Sequence, residues 1–215
     1  MAGRLDGLAG MFKIGSQLFT AEGPRAVERL AKLGAGIFLD LKFHDIPNTV
    51  AGAIRAAAEL PGVRLVNVHA LGGKEMMRAA AQAVARMKKR PKVIGVTLLT
   101  SMDEAALSKV GILGPPLKRA VHLARMARLA GLDGVVTSPR EVSYIRRVCG
   151  AKFLTVVPGI RPAASAMDDQ SRIATPGEAI RAGADYLVIG RPITAATDPR
   201  AAAKKILEEM SAALA

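Results

Sequence analysis

The sequence predicts an α/β fold built on a parallel sheet, and three observations carry that prediction. Short apolar, β-branched runs recur along the chain. Ala-, Leu- and Arg-rich segments of helical character separate them. The runs are apolar throughout instead of alternating, as strands covered on both faces must be. Of the 215 residues 50% are hydrophobic, enough for one sizeable core, so 1–215 reads as a single domain.

In chain order, Met1 to Ala9 reads as the tail of a helix, closed by Gly10. Met11 to Gly15 is the first strand, followed by a helix from Pro24 to Leu33. Gly36 to Leu41 is the second strand, followed by a loop that Pro47 helps to terminate and a helix from Thr49 to Glu59. Val63 to His69 and Val93 to Leu99 are strands that flank a helix from Lys74 to Lys89. The basic cluster Arg86-Met87-Lys88-Lys89-Arg90 has the character of a helix C-terminus, where cations favour the dipole. A helix from Leu117 to Ala130 precedes strands at Gly134 to Thr137, Phe153 to Val157 and Tyr186 to Ile189, and a helix from Pro199 to Leu214 follows. That makes seven strands, whereas a closed (β/α)₈ TIM barrel needs eight. The expectation is such a barrel with its first strand, and most of that strand's helix, missing at the N-terminus. A doubly wound sheet needs no eighth strand and is the alternative.

Composition narrows the function classes. No apolar run approaches the length of a membrane span, and the N-terminus lacks the apolar segment of a secretory signal. The single cysteine, Cys149, excludes an internal disulfide, which points to a reducing cytoplasm. The three histidines, His44, His69 and His122, are scattered and suggest no metal site. The net charge of +13 suits either a solvated basic surface or attraction of an anionic ligand. Nucleic acid is a poor fit, because aromatic residues are only 3% and no stacking platform accompanies the basic ones.

The polar residues gather where strands end, which in a barrel is the functional rim. Asp40-Leu41-Lys42-Phe43-His44-Asp45 brings charges to the end of a buried strand. Charge there is expensive unless paired or used. Residues two apart on a strand share a face, so Asp40 and Lys42 project together. They read as a structural ion pair or as chemistry. Lys13 reads as a snorkelling edge residue or as a partner for them, and His69 as a satisfied core histidine. Pro158-Gly159-Ile160-Arg161-Pro162 follows the sixth strand, and Gly190-Arg191-Pro192 follows the seventh. A glycine that lets backbone amides approach an anion, beside a planar guanidinium, suits phosphate. Either motif alone is more simply a turn; two at corresponding positions of consecutive strands favour a phosphate site beside a short helix N-terminus.

With these residues in place, the chain resembles the orotidine 5′-phosphate decarboxylase family over nearly its whole length. The resemblance rests on Phe12-Lys13-Ile14-Gly15-Ser16-Gln17-Leu18-Phe19, on Asp40 to Thr49, on Pro158 to Pro162 with Asp168-Asp169-Gln170, and on Val188-Ile189-Gly190-Arg191-Pro192-Ile193-Thr194. It implies a cofactor-free, metal-free homodimeric (β/α)₈ barrel acting on a small nucleotide. It also implies a Lys-Asp-Lys-Asp array of Lys13, Asp40, Lys42 and Asp45, with Asp45 and Thr49 reaching the neighbouring subunit's site. Thr100 is implied as a pyrimidine contact, Arg161, Gly190 and Arg191 as phosphate contacts, and Gln170 as a bridge between phosphate and base.

The family's first strand carries an Asp that contacts ribose, and no such strand is evident here. The expectation is weak or absent turnover for the 215-residue chain; full family-like turnover would overturn it. Two rivals remain open at this point. One is a Mg²⁺-dependent sugar-phosphate synthase or decarboxylase of the same superfamily, which also carries Asp-x-Lys-x-x-Asp. The other is a non-catalytic nucleotide-phosphate-binding remnant.

Overall fold

The computed structural model describes residues 1–162 and 174–214. The fold is α/β of the TIM-barrel class, with seven strands among the described residues, parallel wherever their register is defined and arranged in chain order. The chain divides into two compact units, one formed by 1–96 with 126–134 and the other by 97–125 with 135–215.

The first unit opens with a short 3₁₀ turn at Ala2–Leu5, in place of the helix tail expected over Met1 to Ala9. It continues with β1 (Phe12–Gly15), α1 (Ser16–Glu22), α2 (Pro24–Ala31), β2 (Ile37–Phe43), α3 (Pro47–Glu59), β3 (Val63–His69), α4 (Gly73–Val84) and β4 (Lys92–Val96). Ile14, Ile37, Leu39, Leu65, Val66, Val68, Val93 and Ile94 of the strands are buried, as are Val27, Val50, Ile54, Met76 and Met77 of the helices. The continuous apolar runs are thus covered by the helices that follow them. Pro47 ends the loop after β2, and the helix starts there, two residues before the Thr49 expected. It occupies the first turn of α3, where its missing N–H is one the helix leaves unbonded anyway.

One more expectation needs correction. The basic cluster Arg86 to Arg90 lies beyond α4, which ends at Val84. Arg90 instead grips Asp133 through two 2.8 Å hydrogen bonds; Lys92 adds a third contact at 3.1 Å, and the Val93 N–H a fourth at 2.9 Å. Burial alone would raise the Asp133 pKa. The bonds from Arg90, Val93 and Lys92 outweigh burial and hold the carboxyl below its ordinary range. The Asp133 N–H donates in turn to the Val93 carbonyl, so this residue fastens the start of β4 to the chain beyond α6 (the helix at Pro116–Leu129).

The second unit contains α5 (Glu104–Lys109), most of α6, β5 (Gly134–Val136), α7 (Val142–Cys149), β6 (Leu154–Val157), α8 (Pro176–Arg181), β7 (Tyr186–Leu187), α9 (Arg191–Thr194) and α10 (Pro199–Ala212). Val142, Val157, Ile160 and Ala179 form a buried cluster, packed against Ala182, Ala184, Leu187 and Ile189. Arg146 of α7 is the main polar tie. Its guanidinium donates to the carbonyls of Ala151, Phe153 and Gly183 and contacts Asp185. Five helices, α1, α5, α7, α8 and α9, lie outside the segments expected from sequence. Three of the five have fewer than seven residues, and α1 buries no side chain. No helix among the described residues is long and apolar enough to cross a membrane.

Candidate active site

Three of the four charged residues singled out in the sequence meet within the first unit. The Lys42 Nζ lies 2.7 Å from Asp40 Oδ1, and the Lys13 Nζ lies 3.1 Å from Asp40 Oδ2. One carboxylate therefore sits between two ammonium groups. The Asp40 side chain is only 11% exposed, whereas those of Lys13 and Lys42 are 37% and 36% exposed. The pair of cations compensates a carboxylate that burial would otherwise penalise. Gly15 lies opposite Asp40 in the β1–β2 register; a Cβ there would stand 3.1 Å from the Lys13 Nζ. The missing side chain leaves room for the ammonium.

The backbone that aims Lys42 is irregular. On β2, Leu39 pairs with Val66 and Phe43 with Val68, so Asp40, Leu41 and Lys42 together face the single residue Asn67. Lys42 has φ = 52°, the one non-glycine in the left-handed region among the described residues. That conformation is uncommon for a residue bearing a Cβ, and where it persists its surroundings must impose it. Asp40 and Lys42 do meet as period-two spacing predicts, but through a bulge and not along a regular strand.

Asp45 lies apart. It is exposed on the loop after β2, where its Oδ1 accepts from the Ile46 N–H at 2.6 Å, and the described contacts give it no ion pair with Lys13 or Lys42. Thr49 is likewise exposed, in the first turn of α3. His44 and His69 stack with ring centroids 5.4 Å apart. Burial, then the proximity of His44 and Lys42, lowers the His69 pKa to about 4. Its Nδ1 accepts from the Leu71 N–H at 3.4 Å, as a neutral ring can.

The residue that sequence reasoning missed is Asn67. Its side chain is fully buried; Oδ1 accepts from the Lys42 N–H at 2.8 Å and Nδ2 donates to Asp40 Oδ1 at 2.6 Å. A signal was available. An amide inside the apolar run Val63 to His69 must find partners if that run is a covered strand.

In the second unit, Thr100 is half-buried after β4, and Arg161 is half-buried after β6. Gly159, at φ = 77°, turns the chain so that the Arg161 N–H donates to the Ala174 carbonyl at 3.0 Å. Gly190 caps α9, accepting from the N–H groups of Ile193 and Thr194, and Arg191 is the first residue of that helix. A Cβ at Gly190 would meet nothing within 4 Å, so open space faces it. Gln170, with Asp168 and Asp169, lies outside the described residues.

Comparison with known proteins gives one consistent result. The model of the Orotidine 5'-phosphate decarboxylase / HUMPS family matches residues 1–206. Orotidine 5'-phosphate decarboxylase of Halorhodospira halophila is 55% identical over 213 residues, covering 99% of this chain and 90% of that protein. The protein of the same name from Geobacter sulfurreducens is 56% identical over 211 residues, covering 97% and 88%. Among solved structures, orotidine 5'-phosphate decarboxylase from Lactobacillus acidophilus superposes with a TM-score of 0.81 at 39% identity, covering 92% of this chain and 85% of that one.

Proposed function

Because this chain belongs to the orotidine 5'-phosphate decarboxylase / HUMPS family, we propose that it converts orotidine 5′-monophosphate into uridine 5′-monophosphate and CO₂. The observation that carries the reading is the Lys13–Asp40–Lys42 cluster, one shielded carboxylate gripped by two ammonium groups. Breaking the bond from C6 to the carboxylate releases CO₂ and leaves the electron pair on C6, in the plane of the ring. No π system accepts that pair, so a positive group must stand beside it. Lys42 stabilises the developing carbanion and then delivers an Nζ proton to C6, which solvent replaces. Asp40 holds the Lys42 ammonium and opposes the substrate carboxylate, an interaction that disappears as CO₂ leaves. Lys13 orders Asp40 and a ribose hydroxyl.

The remaining assignments rest on the family motifs. Arg161, Gly190 and Arg191 bind the phosphate, Thr100 contacts the pyrimidine, and Gln170 bridges the two. Binding the remote phosphate contributes to lowering the barrier at C6. Asp45 and Thr49 serve the site of a second copy in a homodimer, which accords with their exposure and with the separation of Asp45 from the lysines. The reaction uses no cofactor and no metal, and we place it in the cytoplasm.

The test is release of CO₂ from orotidine 5′-monophosphate in the presence of EDTA. Turnover is expected to survive the chelator, which separates this reading from the Mg²⁺-dependent one. Lys42→Ala is expected to abolish turnover while barely changing affinity for uridine 5′-monophosphate. Retention of more than a small fraction of the rate removes Lys42 from its role. Product binding with no CO₂ released by the parent chain would instead favour a non-catalytic nucleotide-binding protein.

A further inference from the structure

We propose that Asn67 is a positioning residue for the decarboxylation, its one carboxamide fixing both the left-handed backbone of Lys42 and the carboxylate of Asp40. The inference rests on the role given to Lys42 above. Three residues of β2 face Asn67 alone, so the bulge takes the Lys42 N–H out of the regular ladder. The Asn67 Oδ1, 2.8 Å away, supplies the acceptor that the ladder no longer offers. The other end of the same amide donates to Asp40 Oδ1 at 2.6 Å, the oxygen that also receives the Lys42 ammonium at 2.7 Å.

The orientation of the amide follows from its partners. A backbone N–H can only donate and an ionised carboxylate can only accept, so oxygen must face Lys42 and nitrogen must face Asp40. A rigid, planar group thus links the backbone of the proton donor to the anion that holds its side chain. Nothing solvated competes for either bond, because Asn67 is fully buried. Its β4 neighbour in the register is the apolar Ile94. The charged groups it meets are Asp40 and Lys42 of β2, with Lys13 of β1 joined through Asp40, and the titratable His69 lies two residues further along β3. Without the amide, Lys42 is free to leave φ = 52° for an ordinary conformation, and its ammonium moves away from the reacting carbon.

Two variants test this. Asn67→Ala is expected to lower kcat about 100-fold, the effect of an ångström-scale misplacement, with affinity for uridine 5′-monophosphate changed less than about threefold. Asn67→Asp distinguishes positioning from packing through its pH profile. At high pH the introduced carboxyl is ionised and repels Asp40. At low pH it is protonated, isosteric with the amide, and able both to accept from Lys42 and to donate to Asp40. The rate of Asn67→Asp relative to the parent is therefore expected to rise at least about tenfold from pH 8 to pH 5.5, whereas the Asn67→Ala ratio stays flat. His69, with its pKa near 4, stays neutral across that range.

An Asn67→Ala variant with near-parental kcat, or an Asn67→Asp profile parallel to the parent's, overturns the proposal. Should Asn67→Ala fail to fold, the aspartate variant carries the test by itself. Lys42→Ala, assayed beside them, separates the two levels. If it is inactive while both Asn67 variants behave as the parent does, only this inference falls. If it is active, or if the parent releases no CO₂, the functional reading falls and takes the inference with it.

Discussion

Replacing Asp40 by alanine should destabilise the folded chain by about 2–4 kcal/mol at neutral pH. The magnitude follows from what the carboxylate touches. Its ion pairs with Lys13 and Lys42 involve side chains more than a third exposed, so each contributes only about 0.2–1 kcal/mol. The larger part comes from Asn67, whose buried Nδ2 loses its acceptor; an orphaned buried donor costs about 1–3 kcal/mol. The two ammonium groups left behind can relax into solvent and add little. Urea denaturation followed by circular dichroism and by a second, independent probe measures the change. With a slope of about 1–3 kcal/mol/M, the midpoint should fall by about 1 M or more. The reasoning also predicts non-additivity. In Asp40→Ala/Asn67→Ala the Nδ2 donor is gone and the Lys42 N–H loses its acceptor just as in Asn67→Ala alone, so the double variant should be about 1 kcal/mol more stable than the sum of the singles implies. A loss below about 1 kcal/mol, or an additive cycle, would refute the claim that the buried amide dominates.

The His69 ring should remain neutral under NMR titration until the pH approaches 4. Its folded pKa lies below the unfolded value of 6.5, so the unfolded chain takes up the proton first: stability is full above 6.5 and declines as pH falls toward 4. His69→Gln should flatten that part of the stability curve, and an unchanged curve would show that the ring is not responsible. Asp133→Ala should cost about 1–3 kcal/mol, because it leaves the Val93 N–H without its acceptor and separates Arg90 from the carboxylate. Since the folded Asp133 pKa is depressed, its contribution is present above the unfolded value of 3.8 and lost as pH falls further. Thermal melts from pH 6 down to pH 3 should accordingly converge for parent and variant at the acid end.

The strands were the most legible part of the sequence, because covered strands need continuous apolar runs; β3 falls on Val63–His69 as expected. Helix starts were less legible. The helix expected from Thr49 begins two residues earlier, at Pro47. The helix α8 carries a readable signal in Thr175-Pro176-Gly177-Glu178, where the Glu178 side chain accepts from the Thr175 N–H at 2.8 Å and the Thr175 hydroxyl accepts from the Glu178 N–H at 3.2 Å. By contrast, α1 has no buried side chain and hence no periodicity to detect. At the site, residue type and spacing identified Lys13, Asp40 and Lys42. They could not show that Asp40 and Lys42 meet through a bulge, since strand periodicity assumes regular pairing. Nor could they show the service of Asn67, which depends on a contact 25 residues away in the chain.

The left-handed turn at Lys42 bears on any attempt to transplant this chemistry. Copying a lysine, an aspartate and a second lysine onto the straight strands of another scaffold would reproduce the composition and lose the aim. The amine's direction here is set by the main chain before any side-chain torsion is chosen. A graft would have to carry the kinked peptide and its amide brace as one piece, and a designer who screens only side-chain rotamers would be searching the wrong degrees of freedom.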